Sequence, residues 1–188
     1  MDRVSRIASA LGAIGDQSGS ELSAAVAAIL TAHDDPSLLF IQRVQHDGDP
    51  WSGHIAFPGG RIEPTDASAV AAAKRETMEE VALDLGDARA LGRLADITGS
   101  TIPVCVSCHV FGIEEIPELD PNEEVADTFA VSLSELANPD RHVHAEFEIK
   151  GNRTMYPAID LGIEGKPLLW GLTYRFVDQI LQHAELKV

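Results

Sequence analysis

The sequence predicts a single α/β (α+β) domain built as a sandwich of layers. Three observations predict it. Strand-like and helix-like segments are interspersed along 188 residues, enough for one domain with a real core. The stretch from Asp66 to Leu83 is strongly helical, while the segments around it read as strands. No internal repeat, low-complexity tract or domain linker breaks the chain. Residues 1–22 are expected to form an N-terminal helix and linker of the same domain as 23–188.

The elements follow in order. Residues 3–14 have an amphipathic helical pattern, followed by the polar stretch Asp16–Ser20. Ser23–Thr31 is small and apolar and reads as a strand. Asp34-Asp35-Pro36 signals a turn before a second strand, Ser37–Val44. Residues 45–65 read as a loop rich in Gly, Pro and Asp. Alanines, Lys74, Arg75, Met78 and three glutamates then favour a helix over 66–83, with Thr65 or Asp66 as its cap. Strands are expected near 89–98, 103–113 and 124–131, and a short helix over Ser132–Ala137. A β excursion over 145–159 turns at Gly151-Asn152, and a closing helix spans 168–184.

Composition narrows the function. Fourteen Lys and Arg against 30 Asp and Glu give a net charge of −16. Such a surface does not suit general nucleic-acid binding, which relies on cations neutralising phosphates. An acidic protein can still act on an anionic small molecule when a metal cation bridges the two. No apolar run approaches the ~18 residues of a membrane span, so no membrane partner is expected. Met1-Asp2-Arg3-Val4 does not open a signal peptide, which leaves a cytoplasmic location as the expectation. Cys105 and Cys108 are spaced C-x-x-C, but on a strand residues three apart face opposite ways. They read as buried thiols, not as a metal or redox pair.

Residues 66–83 carry the chemistry. At about 100° per residue, and relative to Arg75, Glu79, Glu76 and Glu80 fall at about 40°, 100° and 140°. Thr77, Val70 and Val81 fall at about 200–240°, Lys74 at about 260° and Met78 at about 300°. One face is carboxylate-rich, and the opposite, mainly apolar face is expected to pack on a sheet. Like charges at Glu76 and Glu80, i and i+4, cost roughly 0.2–0.5 kcal/mol on a helix. Arg75 offsets part of this through Glu79, and a divalent cation would offset more. Mg²⁺ takes oxygen ligands, usually a few carboxylates completed by water and phosphate oxygens. Just upstream, Phe57-Pro58-Gly59-Gly60 can bring main-chain groups against a phosphate or a metal, because glycine permits backbone conformations closed to other residues.

Gly60 with Arg75-Glu76-Thr77-Met78-Glu79-Glu80-Val81-Ala82-Leu83 resembles the Nudix box, G-x5-E-x7-R-E-U-x-E-E-x-G-U, with U bulky and apolar. Asp66 stands at the first acidic position, one residue further from Arg75 than the box has it. Ala82 replaces the late glycine. The resemblance implies a Nudix-type α/β/α sandwich with a mixed central sheet and a loop–helix–loop catalytic motif. It implies Mg²⁺ or Mn²⁺ as cofactor, with Glu76, Glu79, Glu80 and Gly60 at the metal. It also implies catalytic roles for Glu79, Glu76, Glu80 and Arg75, the last orienting the glutamates.

The likeness runs further, over about residues 23–180. Ser52-Gly53-His54-Ile55-Ala56-Phe57-Pro58-Gly59-Gly60, Thr65-Asp66-Ala67-Ser68, Asn122-Glu123-Glu124-Val125 and Leu169-Trp170-Gly171-Leu172-Thr173 are similar to segments of the coenzyme A pyrophosphatase branch. That points to hydrolysis of a small-molecule diphosphate, coenzyme A or an acyl-CoA first. ADP-ribose, dinucleoside polyphosphates or nucleoside triphosphates are the alternatives, and a non-catalytic ligand sensor is a third reading. Arg43, Arg61 and Gly59 are expected at the substrate phosphates, since guanidinium pairs well with phosphate oxygens. Glu79 is the expected general base, with Glu123 and Glu124 as loop alternatives. Trp51 is a candidate to stack on a base or cover the site, although a loop anchor is its plainer role. His54 reads as structural, and Trp170 and Tyr174 as packing residues of the closing helix or as a homodimer contact.

Overall fold

The computed structural model describes residues 2–12, 22–46, 52–99, 103–149 and 151–186. Residues 13–14 of the expected first helix, the stretch Asp16–Ser20, Ile102 and Trp51 lie outside them. The chain opens with α1 (Arg3–Gly12), then β1 (Ala24–Thr31) and β2 (Ser37–Arg43). The stretch read as a loop from 45 to 65 contains two short strands, β3 (Ile55–Ala56) and β4 (Gly59–Arg61). Two- and three-residue strands are too short to show a periodicity, so sequence pattern could not reveal them. After α2 (Ala69–Val81) come β5 (Arg89–Arg93), β6 (Ile97–Thr98), β7 (Cys105–Ile113) and β8 (Val125–Ser132). Then follow α3 (Leu133–Leu136), a 3-10 turn at Pro139–Arg141, β9 (His142–Ile149), β10 (Asn152–Ile159), β11 (Leu169–Trp170) and α4 (Gly171–His183).

The main sheet runs β3-β2-β1-β7-β5, with β4 beside β1, β6 beside β7 and β8 beside β2. β1 and β7 are parallel, in register from Ala24↔Val106 to Thr31↔Ile113, and the other pairs are antiparallel. The sheet is therefore mixed, as expected. β1 is buried on both faces, and its alternation divides the core in two. Ala25, Ala27 and Ile29 join Leu39, Ile41 and Phe111 under α2. Ala28 and Leu30 join Leu38, Phe40, Cys108 and residues of α1 and α4 on the other face. A separate antiparallel sheet, β11-β10-β9, carries the end of the chain. Cys105 and Cys108 are free and buried, as expected. Among the described residues no helix is long and apolar enough to cross a membrane.

Small side chains set the distance between α2 and the sheet. Ala72 and Ala73 lie fully buried in one core cluster with Ala25 and Ala27. Alanine against alanine lets helix and strand approach closely, and this brings the glutamates of α2 over β4. The helix starts later than its sequence suggests. Its cap is Ser68, whose hydroxyl accepts from the Ala71 N–H at 3.2 Å, not Thr65 or Asp66. The side chain of Asp66 is engaged elsewhere, as described below. At the far end Ala82 caps the helix in the left-handed conformation, φ 55°. That is the geometry for which helix ends usually employ glycine.

Candidate active site

Arg75 organises the open side of the site. Its Nε and Nη2 donate to the two carboxylate oxygens of Asp66, both at 3.0 Å. Nη1 donates to Glu76 and Glu79, again at 3.0 Å each, and Nη2 also reaches the Arg61 carbonyl at 3.1 Å. All five guanidinium donors are used. The fork to Asp66 is the strong bidentate geometry. It holds the Asp66 carboxyl below the usual carboxylate range, first through the hydrogen bond and then through charge. The same bonds hold Arg75 further toward its charged form. Asp66, one residue out of register with the first acidic position of the box, thus pairs with Arg75.

Glu80 forms a different environment. The wheel set it on the carboxylate face, yet it is 3% exposed. At about 140° it borders the buried arc of Ala73, Thr77 and Val81, so the packing face takes it in. Met78, assigned to the apolar side, is instead 51% exposed. Glu80 Oε2 accepts the Gly59 N–H at 2.8 Å, and Oε1 stands 4.0 Å from Arg43 Nη1. Burial pushes its pKa up to about 7; the Gly59 N–H and Arg43 oppose the rise, and Glu76 and Glu124 add to it. Glu76, half-buried, is raised chiefly by burial, against the pull of Arg75. Glu79 is the open member, with its side chain 55% exposed.

The two glycines serve different neighbours. Gly59, at φ 148°, lies so close to β1 that a Cβ would collide with the Ala25 carbonyl and the Val26 backbone. A Cβ on Gly60 would instead collide with the carboxyl group of Glu76. Gly60 therefore leaves the space that the Glu76 carboxylate occupies. Arg61 is exposed on β4. Of the two loop acids, Glu124 is the one whose charge reaches both Glu76 and Glu80. Its loop is tied to the site through main-chain bonds, Asn122 N–H to the Glu80 carbonyl at 2.9 Å and Val44 N–H to the Glu124 carbonyl at 2.9 Å. The proximity of Glu124 arises from this loop contact, and its Asn-Glu-Glu sequence was the only signal of it.

The donor set fits a hard divalent cation. Glu76, Glu79 and Glu80 offer only oxygen, and their mutual repulsion and partial burial are relieved by a positive charge. Among the described residues no three His, Cys, Asp or Glu side chains already converge enough to hold one ion. Glu76 and Glu79 are turned to Arg75, and Glu80 to Gly59.

The profile of the NUDIX domain matches residues 21–150, more than half of the chain. The chain is 30% identical over 175 residues to the uncharacterized Nudix hydrolase NudL of Yersinia pestis (strain Pestoides F), covering 90% of this chain and 83% of that one. The match to NudL of Yersinia pseudotuberculosis serotype O:1b (strain IP 31758) has the same values. The fold is similar to that of the MutT protein from Methanosarcina mazei Go1, with a TM-score of 0.53 at 17% identity over 89% of this chain and 97% of that chain. It is also similar to the NUDIX domain of Shewanella oneidensis NrtR, solved with ADP ribose, with a TM-score of 0.50 at 20% identity over 62% and 76%. With the fold, the box residues and the relatives in agreement, the chain belongs to the Nudix family and is a pyrophosphohydrolase of it.

Proposed function

We propose that this enzyme cleaves the diphosphate bond of a nucleoside diphosphate derivative with Mg²⁺ or Mn²⁺, and that coenzyme A or an acyl-CoA is its substrate. The observation that carries the site assignment is the placing of Glu80 against Gly59 and of Glu76 against Gly60, with Arg75 holding Asp66, Glu76 and Glu79 in one network. The coenzyme A assignment is supported by the sequence segments at 52–60, 65–68, 122–125 and 169–173. Family members generally use divalent cations. Here Glu76, Glu79 and Glu80 would hold the ion, with Gly60 leaving room beside Glu76.

Such a cation supplies charge neutralisation on the diphosphate and makes water easier to deprotonate. The chain's own residues do the rest. Arg43 lies at the buried end, placed for a phosphate oxygen, and Arg61 at the exposed end. Glu79, the most exposed of the three, takes the proton of the attacking water. The new P–O bond forms at one phosphorus, the bond to the bridging oxygen breaks, and two phosphate monoesters leave. Glu124 is the alternative proton acceptor, since it faces the same cluster.

A panel of diphosphates assayed with Mg²⁺ tests this. Release of 3′,5′-ADP and 4′-phosphopantetheine from coenzyme A is the expected result. Preference for ADP-ribose, dinucleoside polyphosphates or nucleoside triphosphates would replace the substrate and keep the chemistry. Tight binding without turnover of any of them would replace the hydrolase with a ligand sensor.

A further inference from the structure

Four aromatic rings that the diphosphate chemistry does not use gather beside the site. Phe147 stacks on Trp170 with ring centres 3.9 Å apart and planes 10° from parallel. Tyr156 leans on the same indole at 5.6 Å, and His54 meets it edge-on at 5.0 Å. All four residues are partly exposed, and none belongs to either hydrophobic core. Tyr156 and Trp170 lie beyond residue 150, outside the segment that the NUDIX profile matches.

The rings adjoin the carboxylates. The β2–β3 ladder pairs Ile41 with Ala56 and Gln42 with Ile55, and the Arg43 N–H donates to the His54 carbonyl at 3.0 Å. Arg43 and His54 are therefore main-chain neighbours just past the end of this ladder. Arg43 in turn stands 4.0 Å from Glu80. A continuous line of neighbours, Glu80, Arg43, His54 and Trp170, leads from the metal-binding end to the rings. On β9 the alternation sets Val143, Ala145, Phe147 and Ile149 on one face and Glu146 and Glu148 on the other. The ring-bearing face is thus uncharged, which suits a neutral planar group and does not suit a phosphate.

We propose that the Trp170–Phe147–Tyr156–His54 cluster is the stacking platform for the nucleobase of the substrate. This rests on the diphosphate site proposed above: a diphosphate seated at Glu80 and Arg43 carries its nucleoside to one side, and the cluster is the flat aromatic surface at that edge. Every base offers a π-face, so such a platform tolerates different bases.

Intrinsic fluorescence tests it without metal or turnover. The chain has two tryptophans, and Trp51→Phe leaves Trp170 as the only reporter. This variant is titrated with AMP, with ribose 5-phosphate as the baseless control and with 4′-phosphopantetheine as a chain-like probe. Saturable quenching by AMP, with none by ribose 5-phosphate, is expected. Phe147→Leu in the same background, checked for folding by circular dichroism, should weaken the AMP response by about tenfold or more. Equal responses to AMP and ribose 5-phosphate would overturn the platform, as would a response to 4′-phosphopantetheine alone or none at all. The wild-type protein is titrated beside the Trp51→Phe variant, and absence of AMP quenching in both overturns the platform, so an unfolded Phe147→Leu does not rescue the proposal. Hydrolysis is measured separately. Turnover without AMP quenching overturns the platform alone. AMP quenching without turnover of any diphosphate supports the platform and overturns the hydrolase assignment.

Discussion

Gly59 and Gly60 are adjacent, yet they sit at two different ends of the site. At the buried end, Gly59 is pressed on the backbone of β1 and gives its N–H to Glu80, which is 3% exposed. At the open end, the nearest atoms to Gly60 are those of the Glu76 carboxyl group, and Arg75 ties that carboxylate to Glu79 and Asp66. The first glycine is constrained by the fold and the second by the site. Loss of stability and loss of activity should therefore separate between them.

The largest stability effect is expected for Gly59→Ala. The new Cβ meets main chain at a positive φ, so the strand must move, at a cost of roughly 2–4 kcal/mol. Chemical denaturation measures it, and a wild-type midpoint would contradict the rigid buried end. Gly60→Ala should behave oppositely. The flexible Glu76 side chain can swing away, so the melting temperature changes little while turnover falls about 10–100-fold, the range for losing a group that orients ligands. Equal losses of stability in both variants would erase the distinction.

Asp66→Asn sharpens the open end further. Arg75 keeps one acceptor there but loses the charged fork, and turnover should fall roughly tenfold. The acid limb of the stability curve carries a second readout. The folded pKa of Asp66 lies below its unfolded value, so the contribution of the pair is present above about pH 4 and is lost as the pH falls through the folded pKa. The variant should flatten that limb, and an unchanged acid transition would count against the fork. The smallest effect is expected for Ala82→Gly. Removing the Cβ relieves the left-handed cap, and after glycine's extra chain entropy the gain is about 0.5–1 kcal/mol with kcat unchanged.

Much of this architecture was legible in the sequence because it is local. The 3.6-residue pattern of 66–83, the β1 and β2 runs and the Ser132–Ala137 helix all appear close to where they were expected. So did the Arg75–Glu79 contact, an i,i+4 pair. What escaped depends on contacts across the chain. Ser68 caps α2 because Asp66 is taken by Arg75, which residue preference alone does not reveal. Glu80 is buried because alanines bring α2 close to β1, so the packing arc is wider than the apolar side chains mark out. His54, Phe147, Tyr156 and Trp170 read singly as structural or packing residues. Their meeting depends on β3 contacting β11, residues more than a hundred apart.

Glu80→Gln tests the central claim most directly. Glutamine can still accept the Gly59 N–H and fills the same space, but it removes the buried charge. The protein should remain folded, and be slightly more stable without metal. Mg²⁺-dependent diphosphate turnover should fall by about 10²-fold or more, since a carboxylate that would hold the cation itself is lost, beyond the roughly 10–100-fold typical of groups that only orient such ligands. Turnover at the wild-type level, with the same Mg²⁺ dependence, would contradict the assignment of the site to these glutamates.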